Sequence, residues 1–169
     1  MTFRIRGLPA EQFTELFDLS DVDLAARGAV RRIADAPYPC RVSLTDAKAG
    51  DELILTNYEH HPVDSPYRMR YAIFVRQGEE TYDEIDEVPD QLRKRTLAVR
   101  AFDDQAMMIG FELVEGEKLE QAIERLLADP RCVSSRPLCR TGLLCRAGGE
   151  GVRPSVYSHA SGSGLRRWT

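Results

Sequence analysis

The sequence predicts an α+β domain: a mainly antiparallel β-sheet with one long amphipathic helix at about 117–128 and short helices near the N-terminus. Three observations predict it. Short apolar blocks bounded by turn residues recur through the middle of the chain. Two of them are joined by a connection too short for a crossover. A sustained 3.6-residue apolar stripe occurs once.

The elements follow in order. Pro9 suits the first turn of a helix on which Phe13, Leu16 and Phe17 share a face. Ser20 and Asp23 make a capping pair for a second helix, which Gly28 closes. Residues 41–44 read as a strand, 45–51 as a turn, and 52–58 as a strand buried near its middle. Two prolines and Asp64-Ser65 mark 61–66 as a loop, and 71–75 as the next strand. The acidic stretch 78–90 reads as exposed. Residues 97–102 and 107–114 form a hairpin about Asp103-Asp104. Leu119, Ala122, Ile123, Leu126 and Leu127 make the helical stripe, stopped at Asp129-Pro130.

The 169 residues fit one domain, and a net charge of −4 argues against a general nucleic-acid binder. No run nears the roughly 18 apolar residues of a membrane span, and no apolar core follows the basic start, so no membrane partner and a cytoplasmic location are expected. The average hides two regions. Residues 1–130 hold 16 Lys and Arg against 26 Asp and Glu, whereas 131–169 hold seven Arg against one acid, Glu150. The expected division is a domain at 1–130 and a basic Gly/Ser/Arg-rich tail at 131–169 without regular structure.

The candidate chemistry lies in the body. Glu59, His60, His61 and Asp64 crowd a strand end and its loop. Such a group could place His60 beside a carboxylate as a general base, or let His60, His61 and Asp64 hold a metal. The alternative is a solvated polar loop with one histidine hydrogen-bonded into the fold. Cys40 beside Arg41 is either an activated thiol, which could pair with His60, or a packed inert one. Tyr67, Arg68, Arg70 and Arg76 form a basic group that could take a carboxylate or phosphate, or simply cover a sheet face. Two function classes stay open: a binding or interaction domain for a small molecule or protein, and a small hydrolase-like or metal-dependent enzyme using His60 with Glu59 or Asp64, with Cys40 as its nucleophile. The sequence names no cofactor.

Four segments carry a resemblance: residues 3–9 (FRIRGLP), 38–44 (YPCRVSL), 57–62 (NYEHHP) and 65–68 (SPYR) leading into 72–76 (AIFVR). Together they resemble the bacterial family called domain of unknown function 1203 over about residues 1–130. The resemblance implies a shared fold and no particular activity. It also implies a different ending. Family members typically continue with a Val-Ala-Tyr-Leu-His-Val-His run and a Pro-Gly-Cys-Tyr-Ala-Ala-Arg-Val run. Read one base later, permitted codons for Cys132-Val133, Arg136-Pro137 and 141–144 give Ala-Tyr, Val-His and Pro-Gly-Cys-Tyr, and Val152-Arg153 gives a stop. The tail therefore reads as a shifted frame, and the body is expected to lose strand partners and expose an edge.

Overall fold

The computed structural model describes residues 2–132 and, as backbone, a strand at Leu144–Ala147. The chain enters as β1 (Phe3–Arg6), whose alternation turns Phe3 and Ile5 inward and Arg4 and Arg6 outward. Gly7 follows because a Cβ there would stand 1.8 Å from the Val42 carbonyl oxygen. A 3₁₀ turn leads to α1 (Thr14–Phe17) and α2 (Asp21–Ala26). The Ser20 hydroxyl caps α2 by accepting from the Asp23 amide at 3.2 Å, and Gly28, at φ +70°, takes the left-handed turn that ends it.

β2 (Val30–Ile33), β3 (Glu52–His61) and β4 (Met69–Arg76) form an antiparallel meander, with Val30 opposite Leu55 and Leu53 opposite Arg76. Its inner face packs Ile54, Ile73 and Val75 against Phe13 and Leu24 of the N-terminal helices. β5 (Asp83–Ile85) pairs with β1, and the short α3 (Asp90–Arg93) buries Leu92. β6 (Thr96–Phe102) and β7 (Met108–Glu115) are a hairpin whose turn is held by the Asp103 carboxylate, which accepts from the Gln105 and Met107 amides at 3.0 and 2.8 Å. A 3₁₀ turn at Gly116–Lys118 leads into α4 (Leu119–Leu127), which lays Leu119, Ala122, Ile123 and Leu127 on the hairpin face carrying Leu97, Val99, Ala101 and Val114. Phe3 and Ile5 of β1 complete that core. The architecture is α+β and mostly sheet, divided into three antiparallel sheets. Among the described residues no helix is long and apolar enough to cross a membrane.

Three expectations are corrected. Residues 41–44 are not a strand: Leu44 sits at φ +51°, which breaks the extended run, and the segment is held by single backbone hydrogen bonds, Arg41 N–H to the Phe74 carbonyl and Tyr82 N–H to the Val42 carbonyl, rather than by a ladder. The acidic stretch is not exposed throughout: Asp83 of β5 is half-buried under Arg4 and Arg6, which lets an acidic strand pair with β1. The tail contributes regular structure at β8 (Leu144–Ala147), which pairs antiparallel with β1 from Phe3 opposite Ala147 to Arg6 opposite Leu144. The edge of β1 is thus covered, since ladder hydrogen bonds come from backbone and need no apolar alternation. The remainder of the expected tail, at 133–143 and 148–169, lies outside the described residues.

Candidate functional site: a histidine and an arginine between two sheets

The site begins with an irregularity. β3 and β4 pair in register to Glu59 opposite Arg70, but the next pair is His61 opposite Met69, so His60 is the extra residue of a β-bulge. A regular strand would send the two histidines to opposite faces. The bulge lets both turn inward, and His60 and His61 are 9% and 1% exposed. His60 stacks on Tyr71 of β4 with ring centroids 4.9 Å apart. His61 lies 4.5 Å from the Phe102 ring at the end of β6, and Tyr67 meets that ring edge-on at 5.9 Å. The seam between the β3–β4 sheet and the β6–β7 hairpin is therefore built of rings.

One side chain in the seam carries charge. Arg100 of β6 projects from the hairpin face opposite α4, with its guanidinium carbon 5.8 Å from the Phe111 centroid on β7. Arg100 Nη1 is buried and has no hydrogen-bond partner, and the same holds for His60 Nε2. Four other half-buried arginines are ion-paired, Arg31 with Glu52, Arg76 with Asp51, Arg93 with Glu120 and Arg95 with Asp46, and Arg41 donates to the Gln91 amide oxygen at 3.3 Å. Arg100 has no ion pair among the described residues. Burial pushes the His60 pKa below the ordinary histidine value; donation to the Tyr58 carbonyl opposes this and the Arg100 charge adds to it. The imidazole is thus neutral at pH 7. His60 Nε2 is a buried ring nitrogen with no partner. The seam thus holds a buried donor on a cation, Arg100 Nη1, and a buried imidazole nitrogen, His60 Nε2, that feels its charge. Phe111, 52% exposed, leaves the Arg100 side open to solvent.

The other sequence candidates fall elsewhere. Glu59 and Arg68 form an ion pair at the rim, and that hydrogen bond holds the Glu59 carboxyl below its ordinary pKa. Asp64 is exposed, and among the described residues no three His, Cys, Asp or Glu side chains converge as metal ligands. His60, His61 and Asp64 are not brought together. Arg70 is exposed opposite Glu59. Cys40 bridges to Phe74, which pairs with Leu55, five residues along β3 from His60 and so roughly 16 Å away. No Cys40–His60 dyad forms. Burial, then the Glu79 carboxylate, pushes the Cys40 thiol up to about 12. Arg76 joins Cys40 rather than Tyr67 and Arg68. It donates to Asp51 at 2.8 Å and Thr45 at 3.1 Å, while Glu79 accepts from the Ser43 hydroxyl and from the Arg76 amide at 3.1 Å. Phe13, Phe17, Val42, Arg76 and Glu79 edge a cleft of about 130 Å³ at that end of the sheet.

A family model described as a protein of unknown function, DUF1203, matches residues 37–135, more than half of the 169-residue chain. The chain belongs to the DUF1203 family. No curated protein and no solved structure matches it. The DUF1203 span contains all four strands that build the seam, β3, β4, β6 and β7, whereas β1 and the N-terminal helices precede it. Sequence reasoning missed Tyr71, Arg100 and Phe111. Arg100 alternates with buried Val99 and Ala101 and so reads as an outward residue of a one-sided strand. Its Nη1 is nonetheless buried in the folded chain.

Proposed function

We propose that the protein is a small-molecule binding domain whose ligand sits in the seam at His60 and Arg100. One observation carries the reading: two buried side-chain nitrogens, Arg100 Nη1 and His60 Nε2, have no partner. Leaving each unsatisfied costs about 1–3 kcal/mol, and native proteins rarely keep such groups without a use. A bound molecule that meets both recovers that cost. The aromatic walls supply the apolar contact, and the two polar atoms supply orientation. Tyr67 and the Glu59–Arg68 pair form the rim. The enzyme reading is less well supported: Cys40, with its thiol near 12, lies far from His60 and would be protonated at neutral pH. A cytoplasmic location belongs to the same proposal, as does the shifted-frame origin of much of 131–169, which the coding DNA decides.

The test is a fragment screen followed by imidazole and guanidinium nitrogen resonances of the full chain. Binders are expected to shift His60 Nε2 and Arg100 together, and to stop doing so in Arg100→Met. A broad library of acids, amines and neutral fragments that moves neither resonance would refute the proposal.

A further inference from the structure

The cleft at the other end of β4 has a chemistry of its own and does not depend on the seam. It opens between the segment 10–18 and the turn that follows β4, with a volume of about 130 Å³. Phe13, Phe17 and Val42 give it apolar walls. An apolar cavity of about 150 Å³ holds a benzene ring, so this cleft has room for roughly one small ring or a short branched chain. Its charges do not cancel. Arg76 is the one base among the residues that line it, and Arg76 is already committed: it donates to Asp51 at 2.8 Å and lies 3.5 Å from the Glu79 carboxylate. Two carboxylates thus share one guanidinium. The Glu79 side chain is 2% exposed, so its charge reaches the cleft as a field rather than a contact. Asp18 also lines the cleft, but it is exposed and has no ion pair among the described residues. The wall that carries it, residues 10–18, holds Glu11, Glu15 and Asp18 and no base. A low-dielectric cleft lined by a surplus of one charge concentrates ions of the opposite sign, and phenyl rings attract cations through their π-electrons. An anion would meet Asp18 with no uncommitted base beside it.

We propose that this cleft is a second binding site and takes a small organic cation, an ammonium group carried on one apolar ring or short chain, with the apolar part against Phe13, Phe17 and Val42 and the ammonium at Asp18.

The experiment titrates the full-length protein at neutral pH with benzylamine, benzyl alcohol, benzoate and methylamine. It follows the ring resonances of Phe13 and Phe17, the Asp18 carboxyl carbon and, as a monitor of the seam, the His60 and Arg100 nitrogens. Benzylamine is expected to bind about tenfold more tightly than benzyl alcohol, which has the same ring and no charge. Benzoate should be weaker still, and methylamine, which brings the charge without the ring, should leave both phenylalanines unmoved. Salt at about 0.5 M should weaken benzylamine and leave benzyl alcohol unchanged. Asp18→Asn, a nearly isosteric change at an exposed position, should weaken benzylamine about two- to fivefold and benzyl alcohol not at all. Should that variant misfold, the ligand and salt series on the unaltered protein decides the class by itself. Benzyl alcohol or benzoate binding as tightly as benzylamine overturns the ligand class. No shift at Phe13, Phe17 and Asp18 with benzylamine at about 10 mM, well above the millimolar Kd expected of so small a ligand, overturns the site. So does benzylamine that moves only the His60 and Arg100 resonances. None of these results removes the seam, which its own fragment screen tests.

Discussion

Replacing Arg100 with methionine should stabilise the ligand-free protein. The substitution keeps an unbranched apolar stem of similar reach and removes a buried donor that has no partner. Relief of that donor is worth about 1–3 kcal/mol. Against it stands the loss of the guanidinium over Phe111, about 0.5–1 kcal/mol for a ring that is half exposed. The net is a gain of about 0–2.5 kcal/mol, or up to about 10 °C in melting temperature for a chain of this size. Arg95→Met is the matched control. Arg95 is similarly half-buried but donates to Asp46 at 2.8 Å and to the Gln91 carbonyl, so its loss should cost about 1–3 kcal/mol. Urea denaturation followed by circular dichroism measures both. Should Arg100→Met destabilise as much as Arg95→Met, Arg100 has a partner in solution, and the argument for a vacant donor fails.

Further expectations follow from the same structure. His60 is held below its unfolded value near 6.5, so between the lowered value and 6.5 the folded state binds fewer protons than the unfolded state. Stability should therefore rise with pH through that window and decline as pH falls through it; chemical denaturation between pH 4.5 and 8 should show this slope flattened in His60→Phe. Cys40 is fully buried with its thiol near 12, so iodoacetamide at pH 8 should leave it unlabelled in the native protein while Cys132, half-buried, reacts sooner; mass spectrometry of the digested protein reads both. A chain given the family-like ending after Pro130 should unfold at higher denaturant concentration than this one, because two alternating apolar runs would replace Arg-, Ser- and Gly-rich sequence. An unchanged midpoint would count against the shifted-frame reading.

The parts of the fold legible in the sequence are those whose period is undisturbed. The β6–β7 hairpin, as far as the register shift between Ala101 and Phe102, and α4 show periods of 2 and 3.6, and each buries one face on the other. β2 and β5 were invisible for physical reasons. Val30-Arg31-Arg32-Ile33 is an edge strand with both apolar residues exposed, and Asp83-Glu84-Ile85 is an acidic edge strand neutralised by arginines across the ladder. Strands at an edge need not alternate, since only one side of the ladder and often neither face is buried. His60 was legible as a candidate from its residue type and its place at a strand end. Its partner was not: Arg100 lies on another sheet, and the bulge that brings His61 to the same face as His60 leaves no mark in a one-letter string. The grouping of Arg76 with Tyr67 and Arg68 failed because β4 separates its two ends by its full length.

Two local departures from a stability-only solution meet at one point in this fold. A regular β3 would have sent His60 to the opposite face from His61 and needed no bulge. An apolar residue in place of Arg100 would have suited a seam lined by Tyr71, Phe102 and Phe111 without leaving a donor unmet. Each departure costs free energy, and neither corrects the other, because Arg100 and a neutral His60 do not hydrogen-bond to each other and the cation lowers the histidine pKa further. Chance irregularities in a small domain have no reason to share a location. Their coincidence at the junction of two sheets, with one side open at Phe111, is what a site held ready for an external partner requires.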